Sequence, residues 1–429
     1  MRRISGLNLQ DFAHRILRSK SLGTYSAMVS ANMLSTVIGG IAGVVQARWV
    51  TPDVLGAFGK YSILTGYAAV LSMVVVEGLV RQFPYLIGKG QVDRAVRTAG
   101  VAKCWYAMIL VIMTVVFLGL SLWALIRHNY FGAVGWASQI FVYLSISYGA
   151  FLQIIYRRSG EFKRLSYNGL IAAVVECAAL IFVKMWGFFG LAIRVVFWKI
   201  IRFWLDAKYM PMKIPFYWER GIFVELAKIS IPISFIGYIK TSFMNSSFNA
   251  LVLYYCGQRD LGLLGIAGSF QAIAMMFIQS FNQIFGVKMA VKFGETDSVR
   301  KTLATVIVPT VLCFVASLLL AVLFALSIVP FIKYVTPHYV DAIPIIWILA
   351  AAIPLNALSL PMEIFKTALL IKNMYAIGLT KVIVVLMAAY LVPHSIFWLA
   401  GCLVLGGLVD IIMGAWFVCC AIRKERKIL

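Results

Sequence analysis

Apolar runs of about twenty residues recur from position 25 to position 421, and they restrict the fold of this chain more than any other feature. Each is long enough to cross a bilayer as a helix, the form in which a lipid-embedded segment satisfies its own N–H and C=O groups. We read spans at 25–48, 57–80, 100–126, 133–156, 166–186, 188–205, 229–255, 261–287, 302–328, 342–365, 375–392 and 396–421. Gly187 alone separates spans five and six, and Pro393, His394 and Ser395 are the break between the last two. These twelve spans predict an all-α polytopic membrane protein. With 62% hydrophobic and 13% charged residues, the chain is not a water-soluble globule.

The net charge of +23 does not point to nucleic acid, because the basic residues sit in short clusters at the ends of apolar runs, where orientation signals belong. Of the 39 Lys and Arg residues, 30 fall on one side of the spans, 6 on the other, and Arg194, Lys199 and Lys240 lie within spans. The cluster from Lys366 to Lys381 is counted with the basic side. That asymmetry predicts cytoplasmic N- and C-termini. Residues 1–24 read as a cytoplasmic basic segment, with Arg2, Arg3, Arg15, Arg18 and Lys20 and no cleavable apolar core, and residues 422–429 as a cytoplasmic basic tail.

Two short patterns recur about half a chain apart. Leu55-Gly56-x-x-Gly59 returns as Leu261-Gly262-x-x-Gly265, a shift of 206. Gly90-x-x-Asp93 followed by Arg97 returns as Gly294-x-x-Asp297 followed by Lys301, a shift of 204. The simplest reading is a duplicated unit, common in secondary transporters. It gives a six-helix lobe over 25–205, a cytoplasmic linker over 206–228 and a second six-helix lobe over 229–421. Both lobes have the same orientation, as a parallel repeat requires. Small residues in the first span, Ser35, Gly39, Gly40 and Gly43, are expected to allow close helix approach. Pro232 is expected to kink span seven. The seven cysteines lack C-x-x-C spacing and read as buried free thiols. No two of the four histidines are spaced i, i+4, so neither a metal site nor a cofactor is expected.

The pattern Ala47-Arg48-Trp49-Val50-Thr51-Pro52-Asp53-x-x-Gly56-x-x-Gly59-Lys60-Tyr61 resembles the junction of the first two helices in bacterial polysaccharide (O-antigen type) flippases of the multidrug/oligosaccharidyl-lipid/polysaccharide exporter superfamily. Pro330-Phe331-x-x-Tyr334, then Tyr339-x-x-Ala342, is similar to that family's junction between helices nine and ten. The resemblance implies two lobes forming a V around a central cavity, with alternating access. It implies a cargo of oligosaccharide on a polyprenyl pyrophosphate, flipped from the cytoplasmic to the outer leaflet of the bacterial inner membrane for O-antigen, lipopolysaccharide or capsule assembly. The implied partners are that lipid-linked oligosaccharide, membrane lipids, and a polysaccharide polymerase and chain-length regulator. Arg48 fits the family motif, as a cargo contact or a structural anchor.

A charge at bilayer depth costs at least about 2.5 kcal/mol, so each needs a partner, a wet cavity or a route to the interface. Arg194, Trp198, Lys199 and Arg202 share one face of span six. Lys199 and Arg202 are near enough to its cytoplasmic end to reach headgroups. Arg194 either lines a cavity or pairs with Glu176. Glu77 precedes Arg81 by four residues, the order that favours a surface ion pair. Asp410 lies in an apolar last span, where a carboxylate can bind a proton or sodium or serve in a structural bond. Glu176 is the other candidate for ion coupling. Lys240 lies twelve residues, about 18 Å, beyond Lys228. Thr241, Ser242, Asn245, Ser246 and Asn249 follow it, and it either binds an anionic cargo or pairs with Asp410. Lys240, Arg194, Lys199 and Arg48 are thus the candidate cargo contacts. An ion-coupled multidrug exporter of the same superfamily is the alternative function. A membrane enzyme is disfavoured, because no sizeable outer loop or nucleophile–base constellation can be placed.

Overall fold

The structure, a computed structural model, describes residues 21–426 apart from 297, 369 and 393. Of the basic segment expected over 1–24 only its last four residues are among them, and of the tail over 422–429 only the first five. The first half forms α1 (Ser21–Trp49), α2 (Pro52–Ser72), α3 (Val76–Gly88), α4 (Val92–Ile126), α5 (Tyr130–Ile146), α6 (Tyr148–Arg158), α7 (Phe162–Ala178), α8 (Leu180–Trp186) and α9 (Phe188–Lys208). The second forms α10 (Arg220–Tyr238), a π turn over Ile239–Phe243, α11 (Met244–Tyr255), α12 (Gln258–Thr296), α13 (Val299–Ala304), α14 (Ile307–Val335), α15 (Ile343–Ala357), α16 (Ile364–Thr367), α17 (Ile371–Leu391) and α18 (Ile396–Arg426). No strand occurs among the described residues.

Nine helical segments among the described residues are long and apolar enough to cross a membrane. The other three expected spans coincide with α1, α9 and α12. Several spans are broken where local chemistry offers the backbone another partner. Span four breaks at Ser147, whose hydroxyl donates to the Tyr143 carbonyl at 2.8 Å, and this back-bonding by serine bends helices. Span ten breaks after Ala357, and the turn that follows it contains Pro361, which lacks an N–H to continue the ladder.

The described residues divide into two compact units, one running up to Ala42 and over Leu64–Phe235, the other comprising Gly43–Ile63 and the residues from Ile236 onward. In the first, Leu79 and Phe83 of α3, Tyr106 and Phe117 of α4, Tyr143 of α5 and Leu226 of α10 build one core. In the second, Phe248, Leu264, Ile332, Tyr339, Leu349, Val385 and Leu399 build another. The outer faces are apolar too: Val111, Val115 and Leu122 on α4 and Val308, Leu312, Leu319 and Leu323 on α14 are exposed. Such faces are stable against acyl chains and not against water.

The repeated glycine motifs meet inside the second unit. A Cβ on Gly56 would overlap the Gln258 carbonyl, and one on Gly262 would overlap the Pro52 carbonyl. Each glycine therefore faces the residue four positions before the other. Reciprocal contact of this kind is what a two-fold relation between two copies produces. The close approach expected at the glycines of α1 is not found at Gly39 or Gly43, since a Cβ there would meet nothing within 4 Å among the described residues. The two stretches that carried the family resemblance also touch, because the buried Tyr339 hydroxyl donates to the Val50 carbonyl at 3.0 Å.

Candidate functional site: two clusters of charge within the membrane

In the first unit, α8 ends at Gly187, whose φ of 51° lets the chain reverse into α9. That reversal brings Arg194 back alongside α7, where its Nη2 donates to Glu176 Oε1 at 2.6 Å. The Arg194 side chain is 8% exposed, so of the two readings left open for it, the geometry is that of a buried pair. Lys199 donates to Ser145 Oγ at 3.3 Å and lies 4.0 Å from the Trp198 ring centroid. Arg202 does not reach for headgroups. It donates to Asp206 Oδ2 at 2.8 Å and to the Leu165 carbonyl at 3.2 Å, while Asn168 donates to Asp206 Oδ1 at 2.9 Å. Asp206 was read as the first residue of the linker, but it is buried within α9 and supplies the counter-charge that holds Arg202 inward.

Helix α10, which contains Pro232, runs from the first unit into the second and gives way, seven residues after that proline, to the π turn that carries Lys240. A π turn inserts one extra residue into the helical repeat, changes the direction of the following side chains, and is frequent at functional sites. The Lys240 stem crosses α17 at Gly378, where a Cβ would lie 3.0 Å from Lys240 Cγ. The Lys381 stem crosses α18 at Gly406 in the same way, with Cε at 3.2 Å. These two glycines let both ammonium groups converge on Asp410. Lys381 Nζ donates to Oδ2 at 2.6 Å, and Lys240 Nζ lies 3.0 Å from Oδ1. The second contact is close but poorly aligned, so Oδ1 is buried without a hydrogen-bond donor. Lys240 is accordingly the looser member, 31% exposed against 16% for Lys381. Thr241 and Asn245, four residues apart beside it, are exposed.

The candidate residues are therefore distributed as follows: Arg194 and Glu176 pair, Lys199 lies further along α9, and Lys240 and Asp410 belong to a three-member cluster. Arg48 is exposed in the last turn of α1. Lys381 was missed by sequence reasoning, which counted it with the basic loop. Helix α17 starts at Ile371, which puts Lys381 about 15 Å along it. The expected Glu77–Arg81 pair does not form among the described residues. Glu77 stands instead in the first turn of α3, where the helix dipole favours an anion. All seven cysteines are free, but only Cys313 and Cys402 are buried.

Solved structures with the same fold cover nearly the whole chain. An inward-facing multidrug resistance MATE family transporter of the MOP superfamily aligns with a TM-score of 0.68 at 13% identity, over 93% of this chain and 99% of that one. An outward-facing one aligns with a TM-score of 0.63 at 16% identity, over 96% and 98%. A MOP superfamily transporter from Pyrococcus furiosus, described as having a binding pocket of reverse polarity, aligns with a TM-score of 0.61 at 13% identity, over 94% and 97%. No family model matches the sequence, and no curated protein matches it. The chain is thus a multi-span membrane protein with the fold of MOP superfamily transporters. At these identities, the fold is what the likeness establishes.

Proposed function

We propose that the chain is a transporter that flips an anionic lipid-linked oligosaccharide from the cytoplasmic to the outer leaflet of a bacterial cytoplasmic membrane by alternating access, for surface polysaccharide assembly. The observation that carries this reading is the excess of ammonium over carboxylate in the Lys240–Asp410–Lys381 cluster. Two cations about one anion at membrane depth leave one positive charge to be balanced, and an anionic cargo is a natural counter-ion. Asp410 holds the two lysines in place while no cargo is bound. A pyrophosphate then competes with Asp410 for Lys240, the member held without an aligned hydrogen bond. An exporter of cationic drugs needs a carboxylate free to meet its cargo. Glu176, Asp206 and Asp410 each already face a cation.

The test is transport in proteoliposomes loaded with a fluorescent polyprenyl-pyrophosphate oligosaccharide. Lys240→Ala is expected to lose flipping while remaining folded, since Lys381 still holds Asp410, and Lys240→Arg to keep part of it. Full surface polysaccharide assembly by cells carrying only the alanine variant would overturn the reading. So would increased drug sensitivity on deleting the protein with polysaccharide intact.

A further inference from the structure

The first unit carries a second concentration of cations, on the basic ends of its helices. On α3, Arg81, Tyr85 and Lys89 recur every four residues along one side, while Leu79, Phe83, Leu86 and Ile87 bury the other. An amphipathic helix of this kind lies with its polar face toward headgroups. The helix ends at Gly90, whose φ of 73° allows Gln91 N–H to reach the Leu86 carbonyl and Gly90 N–H the Ile87 carbonyl. That turn sends the chain into α4 and sets Arg94 beside Arg81 and Lys89. The start of α10 closes the other side with Glu225 and Ile229.

The result is a cleft of about 520 Å³ lined by Arg81, Gln82, Tyr85, Lys89, Arg94 and Glu225, with Leu86 and Ile229 beneath them. Its only carboxylate, Glu225, is engaged by Arg94 at 3.3 Å and by Gln82 Nε2 at 2.8 Å. Neither Arg81 nor Lys89 has an ion-pair partner among the described residues; Lys89 rests 4.6 Å from the Tyr85 ring centroid. The lining is net +2. A neighbouring cleft of about 490 Å³ shares Arg94 and Glu225 but adds Arg97, Asp93 and Glu219, so its lining is net −1. The excess of cation is therefore local to one cleft and not general to this surface. Exposed Phe216 and Trp218, on the segment leading into α10, supply the aromatic side chains typical of the headgroup level.

We infer that the cleft between α3, α4 and α10 is a binding site for the headgroup phosphate of an anionic phospholipid, held by Arg81 and Lys89 with its acyl end along Leu86 and Ile229. Two unpaired cations match a phosphodiester, the floor is apolar, and the supporting helix is amphipathic. The inference does not depend on the nature of the cargo.

It is tested with the purified full-length protein by counting retained lipid by native mass spectrometry after mixing with phosphatidylglycerol or phosphatidylcholine. The unmodified protein is expected to retain phosphatidylglycerol selectively. Arg81→Gln with Lys89→Gln should weaken that retention roughly thirtyfold, the surface worth of two cations. Arg97→Gln, in the neighbouring cleft, should leave it unchanged. Thermal unfolding of each variant in the same detergent checks that folding is intact. Equal retention of the two lipids by the unmodified protein would overturn the site. Equal loss in the Arg97 variant would reduce it to general surface charge and overturn it as well. Displacement of phosphatidylglycerol by equimolar polyprenyl pyrophosphate would assign the phosphate chemistry to the cargo and overturn the phospholipid as occupant.

Discussion

The two compact units treat buried charge differently. In the first, two carboxylates each have one arginine: Arg194 for Glu176 and Arg202 for Asp206, both through hydrogen bonds of 2.6–2.8 Å. In the second, one carboxylate serves two lysines, and only one of those contacts is an aligned hydrogen bond. Arginine is suited to a permanent pair, because its planar fork is preorganised and weakly hydrated. Lysine is a compact, mobile point charge that can exchange one anion for another. The first arrangement is closed and the second is poised. At the shift of 206 that relates the glycine motifs, the position matching Lys240 is Leu34, so the first copy has no equivalent charge there.

The largest effect expected from this difference comes from removing Asp410. Asp410→Ala strands two ammonium groups, and breaking a buried pair from one side costs about 3–5 kcal/mol. Glu176→Ala strands one guanidinium, with a cost toward the lower end of that range. The number of compensating substitutions sharpens the comparison. Adding Arg194→Ala should restore most of the stability lost with Glu176→Ala, whereas the Asp410 variant should need both Lys240→Ala and Lys381→Ala. Unfolding midpoints in detergent read both series. Full recovery of Asp410→Ala by Lys240→Ala alone would break the comparison.

A second expectation ranks the two lysines. Lys381→Ala should lower the unfolding midpoint more than Lys240→Ala, because Lys381 is the more buried and makes the aligned bond. For a charge-assisted hydrogen bond the loss is about 1.5–3 kcal/mol. Transport should rank them in the opposite way, with Lys240→Ala causing the greater loss of flipping per folded molecule. Parallel losses of stability and transport in the two variants would count against a division of roles.

Much of this was readable from the chain. The apolar runs gave the all-helical class and the course of the spans, because backbone satisfaction in lipid admits few alternatives. Asp410, Lys240, Arg194 and Glu176 stood out because charge is rare at membrane depth. Lys381 did not, since it was counted with Lys366 and Lys372 as one basic cluster, although the span expected over 375–392 contains it and α17 begins ten residues before it. The clue was Asp410 itself, a deep carboxylate without a near partner in sequence, together with Gly378 and Gly406, which make room for long side chains. The π turn was not legible, because it is a change in backbone register set by packing, with no residue type that demands it. Asp206 was misplaced for a related reason: helix ends near the interface are soft, and although Arg202 stands four residues before it on the same helix, its other partner, Asn168, arrives from α7.

Where the two copies agree, substitutions should behave alike. Gly56→Ala and Gly262→Ala each push a methyl group into a backbone carbonyl that has no rotamer in which to retreat. Overpacking of this kind costs about 1–3 kcal/mol. The contact is reciprocal, so the two single variants should lose similar amounts of stability. The double variant should lose less than their sum, because separating α2 from α12 for one methyl group makes space for the other. Additive losses would show that the helices do not move apart as a unit.

The smallest expected effect tests an element that only one copy has. Tyr339 lies in the loop after α14, is fully buried, and donates to the carbonyl of Val50, just beyond the last turn of α1. The position 206 residues earlier is Ala133, which has no hydroxyl to offer. This bond therefore ties the start of the Gly56 junction to the second copy alone. Tyr339→Phe keeps the ring packed among Ile332, Ala342 and Ile345 and removes only the donor. An ordinary hydrogen bond contributes about 1 kcal/mol, and a buried carbonyl left without its donor can raise that cost toward 2. The unfolding midpoint should fall by a few degrees or less, and Tyr339→Leu, which also removes ring volume, should fall further. If the bond helps to hold the junction in register, Gly56→Ala should be less damaging when Tyr339→Phe is already present, since the chain is then freer to shift. Strict additivity of the two changes would make the hydroxyl a local contact and leave the glycine pair as the sole determinant of the junction.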